Sequence, residues 1–281
     1  MEFIREVLGI ISQYYSYLLS GVGYTMLIAL IGTAAGFLIG LLTGVIRTAP
    51  KSKNAVLRAL HKIVNAIIAV YIEVFRGTPM MVQAMFIYFG SAALFNIYMS
   101  MWGAAFFIVS INTGAYMAET VRGGILSIDP GQTEGAQAIG MTHVQTMINV
   151  ILPQALRNIM PQIGNNLIIN IKDSSVMFII SFTEFFAAHR GAVGATYLYF
   201  PSATIEMIGY LTMTLIASFL LRWVEKRMDG SDSYELVQSD SLTMTAGTYT
   251  HPDRGTPFDE HSKEYRNRVR ESLKNRNGSM R

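Results

Sequence analysis

The sequence predicts an all-α integral membrane protein with five transmembrane helices. Of its 281 residues, 51% are hydrophobic and only 15% are charged, whereas a soluble domain carries about 25% charged residues. Several apolar stretches also reach the ~20 residues that a helix needs to cross a bilayer. The net charge of +3 is interpreted as a signal of membrane orientation, so nucleic-acid binding is not expected. The absence of cysteine excludes a disulfide framework, a thiolate metal site and a cysteine nucleophile.

Five apolar stretches define the predicted spans, and a segment of different composition flanks them on each side. Residues 1–17 mix charged and apolar side chains and predict a short helix at the membrane interface. Residues 229–281 are polar and predict a disordered cytosolic tail, whose basic stretch 260–277 is either solvated or in contact with anionic lipid. A transmembrane domain of residues 18–228 lies between these segments. Its spans are predicted at 18–46, 64–89, 101–121, 163–182 and 205–223.

The second span contains a break signal, because Arg76-Gly77-Thr78-Pro79 interrupts its apolar residues. Such a sequence is compatible with one kinked crossing or with a turn between two short spans. Basic residues mark cytosolic connections, and those that follow the first, third and last spans lie on one side only if residues 64–89 cross once. We therefore expect a protein of the plasma membrane with its amino terminus outside and its carboxyl terminus in the cytosol. The basic residues are Arg47, Lys51, Lys53, Arg58, Lys62, Arg157, Arg222, Lys226 and Arg227.

Four glycines of the first span recur every four residues, at Gly32, Gly36, Gly40 and Gly44. At this spacing they form one nearly straight stripe without side chains along the helix. Glycine is common in membrane helices, but four glycines in register favour close packing over a compositional bias. We therefore expect another helix to contact this stripe.

The connection between the third and fourth spans contains two short predicted helices within residues 129–153. Asp129 is placed to cap the first helix, with Pro130 at its first position. Gly140 is placed to end that helix. The connection is therefore expected to bend at Gly140, on the cytosolic side of the membrane.

The second of these helices carries an apolar face. A capping box formed by Thr142 and Gln145 predicts its start, and Pro153 is expected to end it. Its apolar residues share one face, and an amphipathic helix of this kind is suited to docking into a groove of a partner protein. The face consists of Val144, Met147, Ile148 and Ile151.

The same connection resembles the EAA loop of ATP-binding-cassette (ABC) importer permeases. Glu134-Gly135-Ala136, Gly140 and Leu152-Pro153 occur at the spacing of that loop. The sequence departs from the family at Gly135, where alanine is usual, and at Val150, where isoleucine is usual. Glycine lowers helix propensity there by about 1 kcal/mol. Further motifs within residues 18–228 resemble the polar amino-acid branch of the family: Arg76-Gly77-Thr78-Pro79, Glu119 with Arg122-Gly123-Gly124, Gly131-Gln132, Pro153-Gln154-Ala155 and Lys172-Asp173-Ser174-Ser175.

The resemblance implies a MetI-like permease fold and the role of a half-channel that moves a polar amino acid into the cell. Glutamine, glutamate, a basic amino acid and cystine all remain open as substrates. The implied partners are a second permease copy or paralogue, two ABC ATPase subunits and an extracellular substrate-binding protein, and no cofactor is implied. The motif G-x-x-x-x-G-K-[ST] does not occur in the sequence, so ATP hydrolysis is assigned to a separate chain. The residues expected to couple to the ATPase are Glu134, Gly135, Ala136, Gly140, Val144, Met147, Leu152 and Pro153.

One face of the predicted fourth span is polar, although polar side chains are costly in hydrocarbon. At about 100° per residue, its four polar residues fall within an arc of about 80°. They are expected either to line the substrate pathway, where they would meet an amino acid's ammonium and carboxylate groups, or to hydrogen-bond neighbouring helices. We favour the pathway. The residues are Gln162, Asn166, Asn170 and Asp173.

Two pairs of opposite charge lie three residues apart on predicted spans, Glu73 with Arg76 and Glu119 with Arg122. This spacing favours an ion pair within each helix. Arg76 is also a candidate for the substrate pathway, because it precedes the break at Pro79. A cation and freed backbone groups at a broken helix would suit a substrate carboxylate.

The histidines argue against a hydrolase that works inside the membrane. The residue types for such an enzyme are present in Ser110, Ser181, His61 and His143. Both histidines fall in predicted cytosolic connections, so a nucleophile and base paired in the membrane are not expected. A third histidine, His189, and its neighbour Arg190 fall in the outside connection before the last span, where they are either solvated or in contact with the binding protein.

An ion-coupled secondary amino-acid transporter is the main alternative, because polar groups on membrane helices also serve such carriers. That class needs internal repeats and ion sites at broken helices. The sequence shows no repeat, and a two-helix cytosolic loop would have no purpose in it. Co-purification of an ATPase would distinguish the two classes. No catalytic residue and no metal ligand is predicted.

Overall fold

Helices are the regular secondary structure of the residues that the computed structural model describes, which are 1–50 and 53–228. The predicted tail, 229–281, lies outside them. Residues 1–225 form one compact unit. The helices of the described residues are α1 (Glu2–Thr48), α2 (Ala55–Gly77), α3 (Met80–Phe95), α4 (Met101–Leu126), α5 (Pro130–Ala138), α6 (His143–Thr146), α7 (Leu152–Asp173), α8 (Phe185–Thr196) and α9 (Tyr199–Met228). A π-helix (Met147–Ile151) precedes α7, and a 3₁₀-helix (Ser174–Ile180) follows it.

Within these described ranges, four helices are long and apolar enough to cross a membrane, and a bent pair of helices makes a fifth span if the pair crosses as one. Four are single helices, namely α1, α2, α4 and α9. The fifth runs from His143 through α7 to Ile180 and continues, bent by 54°, into α8. The shorter apolar helix α3 follows α2 after a break at Thr78 and Pro79. The predicted fold class, an all-α membrane protein with five spans, is confirmed.

The glycine stripe of α1 is the contact surface for α4. A Cβ atom added at Gly36 would lie 2.5 Å from Thr113 Cβ, and one added at Gly44 would lie 2.7 Å from Val121 Cγ1. Gly32 and Gly40 oppose Val109 and Met117 in the same way. Because the residue numbers rise together along both helices, α1 and α4 are parallel.

This parallel packing defines how the chain passes between the two helices. Two parallel membrane helices must be joined by an odd number of crossings, so α2 and α3 together make one. The hydrogen bonds agree, because Tyr71 OH of α2 donates to Ile111 O of α4 at 2.6 Å. Asn112, the next residue of α4, contacts both Phe75 of α2 and Gln83 of α3. The two helices therefore follow α4 in succession as one broken span.

The break at Pro79 is stabilised by two buried amides. Proline has no N–H, so Phe75 O loses the partner that a continuous helix would give it. Gln83 Nε2 donates to Phe75 O at 3.0 Å and to Thr78 O at 2.9 Å. Asn112 Nδ2 donates to Phe75 O at 3.3 Å and to Gln83 Oε1 at 2.8 Å. These bonds satisfy a carbonyl that would be costly to leave unpaired in hydrocarbon.

The remaining spans alternate in direction. Phe185, at the start of α8, packs on Gly21 of α1 and on Gly209 of α9. Further along α9, Leu221 packs on Gly164 of α7. Asn170 of α7 hydrogen-bonds Thr33 of α1. From Gly209 to Leu221, α9 therefore follows α1 in the direction of rising residue number and α7 in the direction of falling residue number. Hence α9 runs parallel to α1 and antiparallel to α7. The amino-terminal end of α1 and residue 225 therefore lie at opposite ends of the bundle.

The separate helix predicted for residues 1–17 does not occur. α1 continues without a break for 47 residues, which is about 70 Å at 1.5 Å per residue. Tyr17 packs over Gly191 of α8, and the ring of Phe3 lies 5.5 Å from that of Phe200 of α9. The prediction of a separate element was wrong because residues 2–48 contain no proline that would end the helix. Of the apolar residues that suggested an interfacial helix, Ile10 is buried, whereas Ile4 and Leu8 remain exposed.

Candidate functional site

The first helix of the loop between α4 and α7 is capped at both ends as predicted. Asp129 Oδ1 accepts a hydrogen bond from Gly131 N at 2.7 Å, with Pro130 in the first turn. At the other end Gly140 has a φ of +88°, a conformation that favours glycine. Gly140 N donates to Gln137 O at 2.9 Å, and Met141 N donates to Ala136 O at 3.1 Å. These two bonds form a Schellman motif, which sets the bend between α5 and α6.

The second helix begins as predicted but does not end at Pro153. The capping box is present, because Gln145 N donates to Thr142 Oγ1 at 3.3 Å and Thr142 N donates to Gln145 Oε1 at 2.8 Å. The π-helix then joins α6 directly to α7, and Leu152 N bonds Met147 O, five residues back. The backbone hydrogen bonds change from the α-helical pattern, four residues back, to the π-helical pattern, five residues back, immediately before Pro153, which has no N–H to donate. The predicted end was wrong, and the loop is a rigid continuation of the fourth span.

The apolar face of the second helix lies across the boundary between interior and surface. Met147 and Ile151 are buried in a cluster with Val121 and Ile125 of α4. Val144 and Ile148 are 64% and 56% exposed. Met147, predicted to contact the ATPase, therefore packs inside this chain, and the same is true of buried Ala136. One edge of the apolar face, at Met147 and Ile151, thus packs against α4 and holds the loop in place. The other edge, at Val144 and Ile148, is exposed.

The outward side of the loop forms an apolar surface edged by one acidic residue. Ile139 is 81% exposed. At Gly135 no described atom lies within 4 Å of an added Cβ. Of the other predicted coupling residues, Glu134 and Pro153 are exposed and Leu152 is half-buried. This exposed surface is called the coupling surface, after the role that the sequence predicts for the loop, and consists of Glu134, Gly135, Ile139, Val144 and Ile148.

The polar face of α7 divides into residues with different environments. Asn170 is buried, and its Nδ2 donates to Thr33 Oγ1 at 2.8 Å and to Thr113 Oγ1 at 3.0 Å. This amide joins α1, α4 and α7, which is the structural alternative that the sequence left open. Buried Asn166 instead donates to Gln162 O of its own helix at 3.0 Å. Gln162 and Asp173 are half-buried.

We expect Asn170→Leu to destabilise the protein by about 1–2 kcal/mol, because it leaves two buried hydroxyl groups without their partner. The change is measured as the midpoint of thermal unfolding in detergent. Asn165→Leu is the matched control, since Asn165 is an exposed amide on the same helix. Equal midpoints for the two variants would contradict a structural role for Asn170.

The two predicted ion pairs have different outcomes. Glu119 accepts a bond from Arg122 Nε at 3.2 Å, as predicted, and also pairs with Arg47 of α1, which the sequence analysis did not foresee. Glu73 forms no ion pair with Arg76 in the part of the chain that the structure describes. The Arg76 guanidinium instead lies 5.7 Å from the centre of the Tyr116 ring, an arrangement that stabilises a cation.

Glu184 is a buried polar residue that the sequence analysis missed. It is 1% exposed, and its Oε2 accepts bonds from Tyr210 OH at 2.6 Å and Thr25 Oγ1 at 3.1 Å. Its Oε1 caps α8 by accepting a bond from Ala187 N at 3.1 Å. One carboxylate thus connects α1, α8 and α9. The sequence offered one signal for this role. Glu184 is an acidic residue in an otherwise apolar stretch, at a position from which its carboxylate can cap the start of α8.

His189 is not solvated, contrary to one of the two expectations for it. The side chain is 2% exposed. Its Nδ1 lies 2.8 Å from Ser202 Oγ, and its Nε2 lies 3.3 Å from Glu206 Oε2. The expectation failed because α8 folds against the start of α9, where sequence reasoning placed an open connection. Arg190, in contrast, is exposed.

Five apolar spans, a capped two-helix loop joined rigidly to one span, and a polar helix face define a membrane transport subunit. The sequence comparison agrees, because residues 36–230 match the family described as binding-protein-dependent transport system inner membrane component. The chain belongs to this family, and it is the permease subunit of an ABC importer. The partners of such a subunit are a separate ATPase and a substrate-binding protein.

Several characterised proteins are similar to this chain over most of their length. The glutamine transport system permease protein GlnP of Escherichia coli K12 is 38% identical over 212 residues, which are 75% of this chain and 92% of GlnP. The arginine transport system permease protein ArtQ of Bacillus subtilis is 32% identical over 216 residues, 77% of this chain and 94% of ArtQ. A crystal structure of an amino acid ABC transporter with histidines is 34% identical, with a TM-score of 0.67, and covers 77% of this chain and 96% of that one.

A more distant structure supports the fold alone. The methionine ABC transporter MetNI in an inward-facing conformation is 22% identical, with a TM-score of 0.58 over 76% of this chain and 95% of that chain. The MetI-like permease fold that the resemblance implied is therefore confirmed.

Proposed function

We propose that the chain forms half of the pathway by which a polar amino acid enters the cell, driven by two ATPase subunits. One observation carries the proposal: the exposed coupling surface belongs to a loop that continues through the π-helix into α7. A displacement of the loop by a partner would therefore move the polar face of α7. The similarity to glutamine and arginine permeases supports an amino acid as the substrate.

The orientation proposed for the chain has its amino terminus outside and its carboxyl terminus in the cytosol. The loop lies at the carboxyl-terminal ends of α1 and α4, because its buried residues pack with Val45 and Ile125. The connection after α1 at that end carries Lys51 and Lys53, as the positive-inside rule requires of the cytosolic side. Residues 96–100, at the opposite end, contain no lysine or arginine.

The substrate pathway is proposed along Arg76, Gln162, Asn166 and Asp173. Asp173 ends α7 where the 3₁₀-helix begins, so its half-buried carboxylate lies beside an irregular backbone suited to binding an ammonium group. The Arg76 cation, held over Tyr116, would suit the substrate carboxylate. Asn170 is assigned instead to helix packing. A second permease copy or paralogue would supply the facing wall.

The test reconstitutes the permease with its ATPase and binding protein in proteoliposomes and measures ATP-dependent uptake of labelled amino acids. We expect Asp173→Asn to reduce uptake about tenfold, the loss of one charged hydrogen bond, while complex assembly is unchanged. Glu2→Gln, which removes an exposed carboxylate at the amino terminus, is the control. Uptake that persists without ATP and collapses with an ionophore would instead support a secondary transporter.

A further inference from the structure

A cavity of about 290 Å³ lies between the start of α3, the 3₁₀-helix and α8. Its size is near the lower limit of small-molecule sites, which measure about 300–1,000 Å³, so it suits a ligand as small as an amino acid. Its lining is apolar except at Ser175 and Arg190. The apolar side chains are those of Met81, Val176, Phe178, Ile179 and Phe186.

Arg190 is the charged side chain of this lining. Within residues 1–50 and 53–228, its guanidinium has no hydrogen bond and no ion pair. Phe186 and Arg190 are four residues apart, so they share one face of α8, and both line the cavity. The Arg190 guanidinium interacts electrostatically with Glu206 of α9 but donates no hydrogen bond to it, so among the described residues its N–H groups remain suitable donors to a carboxylate at the wall of the apolar cavity.

The opposite side of α8 is anchored, which fixes the position of Arg190. His189 is held by Ser202 and Glu206 of α9, and Glu184 caps the start of α8 while bonding α1 and α9. These contacts prevent α8 from rotating. Arg190 is therefore held toward the cavity by the packing of its neighbours.

Two further features complement a carboxylate and an ammonium group. Met81 lies in the first turn of α3, whose amino-terminal end has no side-chain cap and so adds partial positive charge. Ser175 Oγ donates to Lys172 O at 2.8 Å, and its lone pairs remain available to accept a bond from an ammonium group. The cavity thus offers groups for both ends of a zwitterion.

We propose that this cavity binds the α-carboxylate of an amino acid whose side chain is uncharged, with Arg190 as a specificity-determining residue. A basic side chain would bring a second cation beside Arg190, and none of the described residues that line the cavity is acidic. An acidic side chain would bring a second carboxylate, for which the lining holds no second cation. The inference rests on the proposed function, since it names the substrate class of the same importer.

The test measures equilibrium binding of labelled L-glutamine to the permease–ATPase complex in nanodiscs without the binding protein, with L-arginine and L-glutamate as competitors. We expect the unaltered complex to bind glutamine in preference to both competitors. Arg190→Gln should weaken binding about 10- to 100-fold, the loss for a charge-assisted hydrogen bond. Arg190→Lys should weaken it less. Arg5→Gln, the same change at an exposed site of α1, should have no effect.

A second variant tests the cavity without changing its charge. Met81→Trp fills the space and should abolish glutamine binding while assembly, checked by size-exclusion chromatography, is retained. The inference is overturned if Arg190→Gln binds glutamine within threefold of the unaltered complex, if Met81→Trp binds normally, or if arginine is preferred. It is also overturned if the complex imports glutamine but binds none. If the complex imports no amino acid at all, the proposed function itself is wrong.

Discussion

Gly40→Ala should destabilise the isolated permease by roughly 3 kcal/mol or more, at the upper end of the cost of overpacking. The added Cβ would lie 2.7 Å from Met117 C and 2.9 Å from Ala118 N, and it would overlap Met117 Cβ. Backbone atoms cannot rotate away as a flexible side chain can, so α1 and α4 would have to separate. At about 2–4 °C per kcal/mol for a domain of this size, the unfolding midpoint in detergent should fall by about 6–12 °C.

The control for this prediction lies on the same helix. Gly23 is exposed, and no described atom lies within 4 Å of a Cβ added there. Gly23→Ala should therefore be neutral or stabilising by up to about 1 kcal/mol, the difference in helix propensity. Opposite signs for the two substitutions would establish that the stripe is a packing surface. A midpoint for Gly40→Ala at or above that of Gly23→Ala would show that α1 and α4 do not pack as described.

Val144→Asp should separate the permease from its ATPase without affecting the fold of the permease. The side chain is 64% exposed in this chain, so the substitution costs little until a partner covers it. Docking would then lose about 1.5–3 kcal/mol of apolar burial and would bury a carboxylate. An affinity loss of about 100-fold is expected, together with loss of substrate-stimulated ATP hydrolysis and uptake. Co-purification and ATPase activity in proteoliposomes measure both effects.

Val56→Asp is the matched control, because Val56 is 74% exposed at the start of α2 and outside the coupling surface. Gly140→Val provides a second test of the loop. No described atom crowds an added Cβ at Gly140, so its cost arises from the φ of +88°, which a β-branched residue rarely adopts. The angle between α5 and α6 should change, and coupling should fall with it. Full ATPase binding and stimulation in Val144→Asp and Gly140→Val would remove the main support for the coupling surface.

Local signals in the sequence predicted local structure well. The caps at Asp129 and Thr142, the left-handed Gly140 and the break at Pro79 each depend on a few neighbouring residues. The stripe from Gly32 to Gly44 also predicted a close helix contact, because four glycines in register leave one face of the helix without side chains. The partner helix α4 could not be predicted in this way, because the sequence of α1 does not indicate which other helix contacts it.

Two of the failures concern residues whose environment is set by distant parts of the chain, and a third concerns the local geometry before Pro153. Asn170 and Asp173 share a helix face, yet only the positions of Thr33 and Thr113 decide that Asn170 is used for packing. Glu184 was missed because its partners lie on α1 and α9, far away in sequence. Pro153 was read as a helix end, although the π-helix before it allows the helix to continue.

The π-helix before α7 is equivalent to an α-helix with one residue inserted. Each residue added to or removed from a helix turns everything beyond it by about 100° and shifts it by about 1.5 Å. The direction in which Val144 and Ile148 face, relative to Asn166 and Asp173, is therefore set by a residue count and does not depend on a flexible joint. The angle between the proposed coupling surface and the proposed substrate pathway is therefore a discrete quantity, which substitutions can perturb but only insertions or deletions can reset.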